Sequence, residues 1–235
     1  MKVTLEAQVT NWGKYGEGIR METRLSFPTT KEEVQAALKR IGVDGVRYQE
    51  VILTEHDSNL SGFCHCITQY DRIDEVNYLV HLLSGLSPDE LATFLAVLDY
   101  GEHNQGVHDL INLALNLEHY EFHPDVSSDE ELGHIYADDM AALDIPEKLL
   151  PYFDYEAYGR DVRLNEGGCF VDGGYMMKSP APFVEHYMGP EDIPPEYRVF
   201  TYPTLTIREK LAAYGERFAL GGPGKTPPSQ GREER

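Results

Sequence analysis

Between Ile73 and Glu147 the chain carries 17 Asp and Glu and not one Lys or Arg over 75 residues. A helix in that stretch gains no i,i+4 ion pairs, so its caps and its apolar face must hold it. Its carboxylates, costly to bury unpaired, turn to solvent. The balance of basic over acidic residues is +1 for residues 1–50, −19 for 51–160 and −2 for 161–235, which accounts for the whole formal charge of −20. A need for general solubility would spread the excess along the chain. Here one part of the surface is built anionic.

A chain of 235 residues with 41% apolar side chains can bury one core or several small ones. No uninterrupted apolar run approaches a bilayer span, and the opening MKVTLEAQVTNWG alternates as a strand does, unlike a signal peptide. Cys64, Cys66 and Cys169 make no secreted disulfide framework. A cytoplasmic protein is expected. Strong negative charge repels nucleic acid and anionic membrane and attracts basic protein surfaces. Neither direct nucleic-acid binding nor a membrane is therefore expected, and a partner should be positively charged.

The hydrophobic periodicity divides the chain into an α+β unit (1–68), a helical acidic middle (69–118), a second α+β unit (119–177) and an extension (178–235). In the first, strands over 2–10 and 19–27 flank a loop at Trp12–Gly18. Thr30 and Glu33 then form a capping box before a helix to Ile41, and a third strand follows over Arg47–Thr54. In the middle, Ser87-Pro88-Asp89-Glu90 starts a helix to Tyr100, flanked by helices over 72–83 and 107–117. The second α+β unit reads as a strand at Tyr120–His123, a helix capped by Ser127 or Ser128, a turn and short helix over Ile145–Tyr158, and strands near Asp161–Leu164 and Phe170–Tyr175 turning at Gly167-Gly168. In the extension, Ile207, Leu211, Tyr214 and Phe218 fall at helical spacing, and 221–235 reads as a flexible end.

Catalytic and metal motifs fail on spacing. Gly224-Lys225-Thr226 has Ala219 where a phosphate-binding loop needs glycine, and Pro227-Pro228 follows in place of a helix. Cys64-His65-Cys66 with His56 lacks the cysteine spacing and second pair of a zinc site. His119, Glu121 and His123 share a strand face, which a solvated sheet also explains. No Asp-x-Asp-x-Asp-Gly calcium loop occurs. No cofactor, metal or catalytic residue is assigned.

Outward carboxylates on helices lie roughly 5–6 Å apart at i,i+3 and i,i+4, near the separation of successive phosphates on a DNA strand. Duplex DNA carries one charge per ~1.7 Å, so 19 net charges match roughly 30 Å of duplex. The candidate anionic surface comprises Asp71, Asp74, Glu75, Asp89, Glu90, Asp99, Glu102, Asp109, Glu118, Glu121, Asp125, Asp129, Glu130, Glu131, Asp138, Asp139, Asp144, Glu147, Asp154, Glu156 and Asp161. Arg160, nearly alone there, is expected to pair with Asp161 or Asp154.

Asp144-Ile145-Pro146-Glu147 and the run from Tyr152 through Gly159-Arg160-Asp161-Val162 resemble the C-terminal part of the ArdA antirestriction proteins. Gly167-Gly168 through Asp172-Gly173-Gly174-Tyr175 is similar to that family's closing strands, and Trp12-Gly13-Lys14-Tyr15-Gly16-Glu17-Gly18 to its N-terminal opening, with Trp12 where an aliphatic residue is usual. The resemblance covers 1–177. It implies a DNA mimic: an elongated row of three small domains, a homodimer joined through the third, and no enzyme. The partner it implies is a type I restriction-modification enzyme whose DNA-binding channel is occupied, with carriage on mobile elements. It also implies an antirestriction motif around Leu143, Ile145, Pro146, Leu149, Leu150, Tyr152 and Phe153. These apolar residues would serve the fold or the contact between copies. The extension departs from the family pattern, and its amphipathic helix would pack on the body. Two rival readings stay open: an acidic adaptor for another basic protein, and a metal-dependent hydrolase using His and carboxylates of 103–139.

Overall fold

A computed structural model describes the backbone of residues 2–139, 145–146 and 148–220. The described residues form a mixed α+β structure of eight α-helices and two three-stranded antiparallel sheets, neither closed into a barrel.

The first sheet has the order β2-β1-β3, built from β1 (Leu5–Asn11), β2 (Glu22–Phe27) and β3 (Val51–Ser58). Leu5 pairs with Phe27 on one side and Ser58 on the other, so Leu5, Ala7 and Val9 lie in the buried centre. A short helix α1 (Trp12–Gly16) fills the β1–β2 connection. Helix α2 (Lys31–Ile41) starts at Thr30, whose side chain accepts from Glu33 N while Glu33 accepts from Thr30 N, the predicted capping box. It buries Val34, Ala37, Leu38 and Ile41. Burial of Val34, Leu38 and Ile41 is worth about 1.5–3 kcal/mol each, against ~1 kcal/mol for a cap. Packing therefore holds the helix in place, and the cap decides where it begins.

Strand β3 starts later than the predicted Arg47–Thr54. The Asp44 carboxylate accepts from the amides of Val46, Arg47 and Tyr48 at 2.8, 2.8 and 3.1 Å, winding 44–48 into a turn that competes with strand pairing.

Helices α3 (Ile73–Gly85), α4 (Pro88–Tyr100) and α5 (Val107–Ala114) form the middle. Gly101, at φ +91°, ends α4 in the left-handed region. Beyond them β4 (Tyr120–Pro124) opens the second α+β unit, followed by α6 (Asp129–His134), which widens into a π turn over Ile135–Asp139. Helix α7 (Tyr155–Glu166) and strands β5 (Cys169–Val171) and β6 (Gly174–Lys178) complete it, in sheet order β4-β6-β5.

Two expectations are overturned here. Asp161–Leu164 is helical, because the Asp154 carboxylate caps α7 by accepting from Ala157 N at 2.9 Å and Gly167, at φ +68°, ends it. The hairpin consequently turns at Asp172-Gly173, with Val171 opposite Gly174, and Gly167-Gly168 is a helix stop.

A single buried cluster runs from Val3 through α3, α4 and α5 to Tyr120 and Met176, and takes in Tyr187, Ile193 and Val199 of the extension. A smaller one joins Val126, Leu132 and Tyr175 beneath α6 and α7. The extension's helix α8 (Ile207–Leu220) does not lay its apolar stripe on the body as expected: Ile207, Leu211 and Phe218 are 81%, 68% and 74% exposed, and Ala213 faces inward. Extended residues before α8 already cover the helical core, and α8 attaches by polar contacts, an Arg47–Glu216 ion pair and Arg217 to Val46 O.

Candidate anionic surface

The predicted carboxylates separate into two groups by what their oxygens touch. In the first, the carboxylate is a fastener. Asp71 accepts from Thr68 N at 2.6 Å, and burial raises its pKa. Asp74 accepts from the amides of Val199 and Phe200, both at 2.6 Å, and Glu75 from the Tyr187 hydroxyl at 2.7 Å. Asp99, at the end of α4, accepts from Asp172 N in the β5–β6 turn at 2.9 Å. Glu102 accepts from Lys178 Nζ at 2.7 Å and the Tyr120 hydroxyl at 2.9 Å. Burial opposes its charge, yet these hydrogen bonds prevail and hold its pKa below the ordinary value, while burial and the same contact push the Tyr120 hydroxyl upward. Asp99 and Glu102 thus tie the helical middle to the second sheet.

Asp129 belongs with them. Its two oxygens accept from Arg163 Nε and Nη2 at 2.7 and 3.0 Å, and this hydrogen-bonded pair lowers its pKa. Asp109 accepts from Gln105 N at 3.2 Å. Glu90, Glu131 and Asp154 each accept from a backbone amide at a helix start; hydrogen bonds from Ser87 and Ser127 lower Glu90 and Glu131 respectively. These three remain exposed, as does Asp99, so a cap or tie at one oxygen leaves charge facing solvent.

In the second group the carboxylate fastens no other part of the fold by a side-chain contact. Asp89, Glu118, Glu121, Asp125, Glu130, Glu156 and Asp161 are exposed and, among the described residues, make no side-chain hydrogen bond or ion pair. They sit on α4, before and on β4, at the turn after it, and on α6 and α7. Asp138 and Asp139 lie on the π turn after α6. Leu143, Asp144 and Glu147 lie outside the described residues.

Of the remaining motif residues, Ile145 is half-buried and Pro146 exposed. Leu149 and Leu150 are exposed and Tyr152 is 85% exposed, whereas Phe153 packs edge-on against Tyr155 and Tyr158 at 4.8 and 5.6 Å. Arg160 is exposed and, among the described residues, pairs with neither Asp154 nor Asp161; Arg163, one helical turn on, takes the carboxylate of Asp129 instead. Sequence reading passed over Arg163, and also Glu166, which accepts from the Tyr136 hydroxyl at 2.8 Å. The i,i+3 step from Arg160 to Arg163 was the available signal.

The histidines and cysteines do not converge. Cys64-His65-Cys66 lies in a short 3-10 turn, with both thiols free and their pKa raised by burial. The His119 ring contacts Ala181 O, and His123 stacks on Tyr175. Among the described residues no three His, Cys, Asp or Glu side chains come together to hold a metal ion, and no helix is long and apolar enough to cross a membrane.

A comparison with curated proteins returns no match. The family model of the antirestriction protein ArdA matches residues 7–177, from the first strand through both sheets to the end of the second hairpin, and the chain belongs to that family.

Proposed function

We propose that this antirestriction protein is a non-enzymatic DNA mimic that inhibits type I restriction-modification enzymes by occupying their DNA-binding channel. The observation that carries the reading is the group of seven exposed carboxylates that, among the described residues, have no internal partner, five of them on the stretch from Ile73 to Glu147 where Lys and Arg are absent. A surface laced with ion pairs would present alternating signs along its length, whereas here the nearby cations Arg163 and Lys178, which lie outside that stretch, are already paired with Asp129 and Glu102. Between Ile73 and Glu147 the Asp and Glu side chains that face solvent meet no Lys or Arg of that stretch, a field of one sign able to replace the counterion-releasing phosphates of duplex DNA on a basic channel. The molecule would act as a homodimer in the cytoplasm, doubling the length of anionic surface.

The test is competition. Duplex DNA and the protein should displace each other from a type I complex, and protein binding should weaken steeply with added salt. Simultaneous binding of both, or affinity unchanged between low and physiological ionic strength, would count against the mimic.

A further inference from the structure

We propose that the helical middle carries a groove that reads the main chain of an extended peptide, and that residues 179–204 occupy it as an intramolecular clamp fixing the two sheets relative to each other. The clamp lies beyond residue 177, where the family match ends.

The observation is a set of buried asparagines. Asn77, Asn112 and Asn116 are 1%, 3% and 1% exposed, and a buried amide is costly unless both its ends are bonded. Asn112 donates to Tyr187 O at 2.8 Å and accepts from Tyr187 N at 2.8 Å. Asn116 does the same to Val184, at 2.7 and 2.8 Å. A carbonyl and an N–H offered to one residue's N–H and carbonyl are what a neighbouring β-strand would present. Two side chains, Asn112 on α5 and Asn116 just beyond its end, replace that strand, so the groove demands extended backbone more than any side chain.

The other contacts continue the same line. Asn77 donates to Tyr197 O at 3.0 Å while accepting from Thr29 N at 2.8 Å, joining the strap, α3 and the β2–α2 connection through one side chain. Asp74 receives the amides of Val199 and Phe200. Tyr187 fills the groove, 1% exposed, with its hydroxyl on Glu75, and Phe183 stacks on His103 at 4.0 Å. At one end Ser179 N bonds His119 O at 2.8 Å, beside the second sheet; at the other, the Tyr202 hydroxyl bonds Gln49 O at 3.1 Å, beside the first. Six prolines between 178 and 206 restrict the free segment and lessen the entropy lost on seating it.

The carboxylates proposed to imitate phosphates sit on both the helical middle and the second α+β unit. Their spacing holds only while those units are fixed, and fixing them is the clamp's role. That last step rests on the inhibitor reading; the groove itself does not.

The test is the full-length double variant Asn112→Leu/Asn116→Leu, which changes no charge. In wild type, hydrogen exchange at the amides of Val184, Tyr187, Val199 and Phe200 should be about 100-fold or more slower than in unstructured chain. In the variant, Val184 and Tyr187 should exchange about tenfold or more faster while β1 stays protected, and inhibition of a type I enzyme should fall about tenfold. If circular dichroism shows that the double variant does not fold, the single variant Asn116→Leu, which removes both contacts to the Val184 main chain and leaves Asn112 on Tyr187, is read the same way at the Val184 amide. Unprotected strap amides in wild type, or unchanged exchange in a folded variant, would overturn the groove. A loosened strap with undiminished inhibition would overturn its role in spacing. Wild-type protein that does not inhibit would remove the inhibitor reading, and the exchange measurement would still decide the groove.

Discussion

Gly133 of α6 and Gly159 of α7 meet where the two helices cross, so closely that a Cβ at residue 159 would lie 2.6 Å from Gly133 N and 1.8 Å from Asp129 O. A Cβ at 133 would lie 2.0 Å from Tyr155 O. Neither glycine occupies the left-handed region; both are needed for size. An interior Ala would gain ~1 kcal/mol of helix propensity over Gly. Overpacking against backbone costs about 1–3 kcal/mol or more, and the clash should win because backbone cannot rotate away. Gly159→Ala should therefore lower the urea midpoint followed by far-ultraviolet circular dichroism. A raised midpoint would show that the crossing relaxes without cost.

The bidentate Asp129–Arg163 pair lies across the same crossing, both side chains largely shielded from solvent. Arg163 holds the Asp129 pKa below its ordinary 3.8, so the folded state binds this proton less readily than the unfolded chain does. The pair's contribution is present above that ordinary value and is lost as pH falls through the lowered one. Wild type should lose stability as pH falls below about 4 more steeply than Arg163→Met, whose stability should be lower near neutrality by about 1–3 kcal/mol. Thermal melts of both proteins against pH check this, and parallel curves would remove the pair from the acid response.

Where the determinants were local, the sequence was enough. Ser87-Pro88-Asp89-Glu90 and Thr30–Glu33 carry their hydrogen bonds within one helical turn, and both helices begin where those residues place them. Where they were long-range, it was not. Gly159 sits inside α7 with Gly133 of α6 against it, a long-range contact that no local pattern displays, and the strand expected over Asp161–Leu164 is helix. Asn112 and Asn116 look like ordinary polar positions on a helix until the segment 75 and 68 residues further on is laid over them. The same limit applies to the anionic surface. Composition shows that carboxylates abound between Ile73 and Glu147, but only contacts separate Asp74 and Asp129, which hold the fold, from Glu121 and Glu130, which face solvent.

That separation predicts how inhibition should respond to neutralisation. Glu121→Gln or Glu130→Gln removes one exposed charge with no internal partner and should cost about 1 kcal/mol or less in partner affinity, with little change in stability. Combining Asp89→Asn, Glu121→Gln, Glu130→Gln and Glu156→Gln should accumulate the loss and flatten the salt dependence of binding. Titrated inhibition of a type I enzyme measures both. Abolition of inhibition by one of these substitutions in a folded protein would favour a catalytic or single-site mechanism.

The contact between copies is the remaining prediction. Tyr152 is 85% exposed and Leu149 54% exposed, neighbours in an apolar run on a chain of net charge −20. Two such chains repel at long range, so their contact must be apolar, and it should strengthen with salt as repulsion is screened, opposite in sign to binding of a basic partner. Tyr152→Asp tests this better than a change at Phe153, because Phe153 packs on Tyr155 and Tyr158 and its loss would also disturb α7. A solvent-facing substitution should alter monomer stability by no more than about 0.5 kcal/mol, while a carboxylate placed in an apolar contact costs several kcal/mol unless paired. Wild type should sediment as a dimer at micromolar concentration and physiological salt, and Tyr152→Asp as a folded monomer. A dimeric Tyr152→Asp would remove this residue from the contact, and monomeric wild type would remove the dimer.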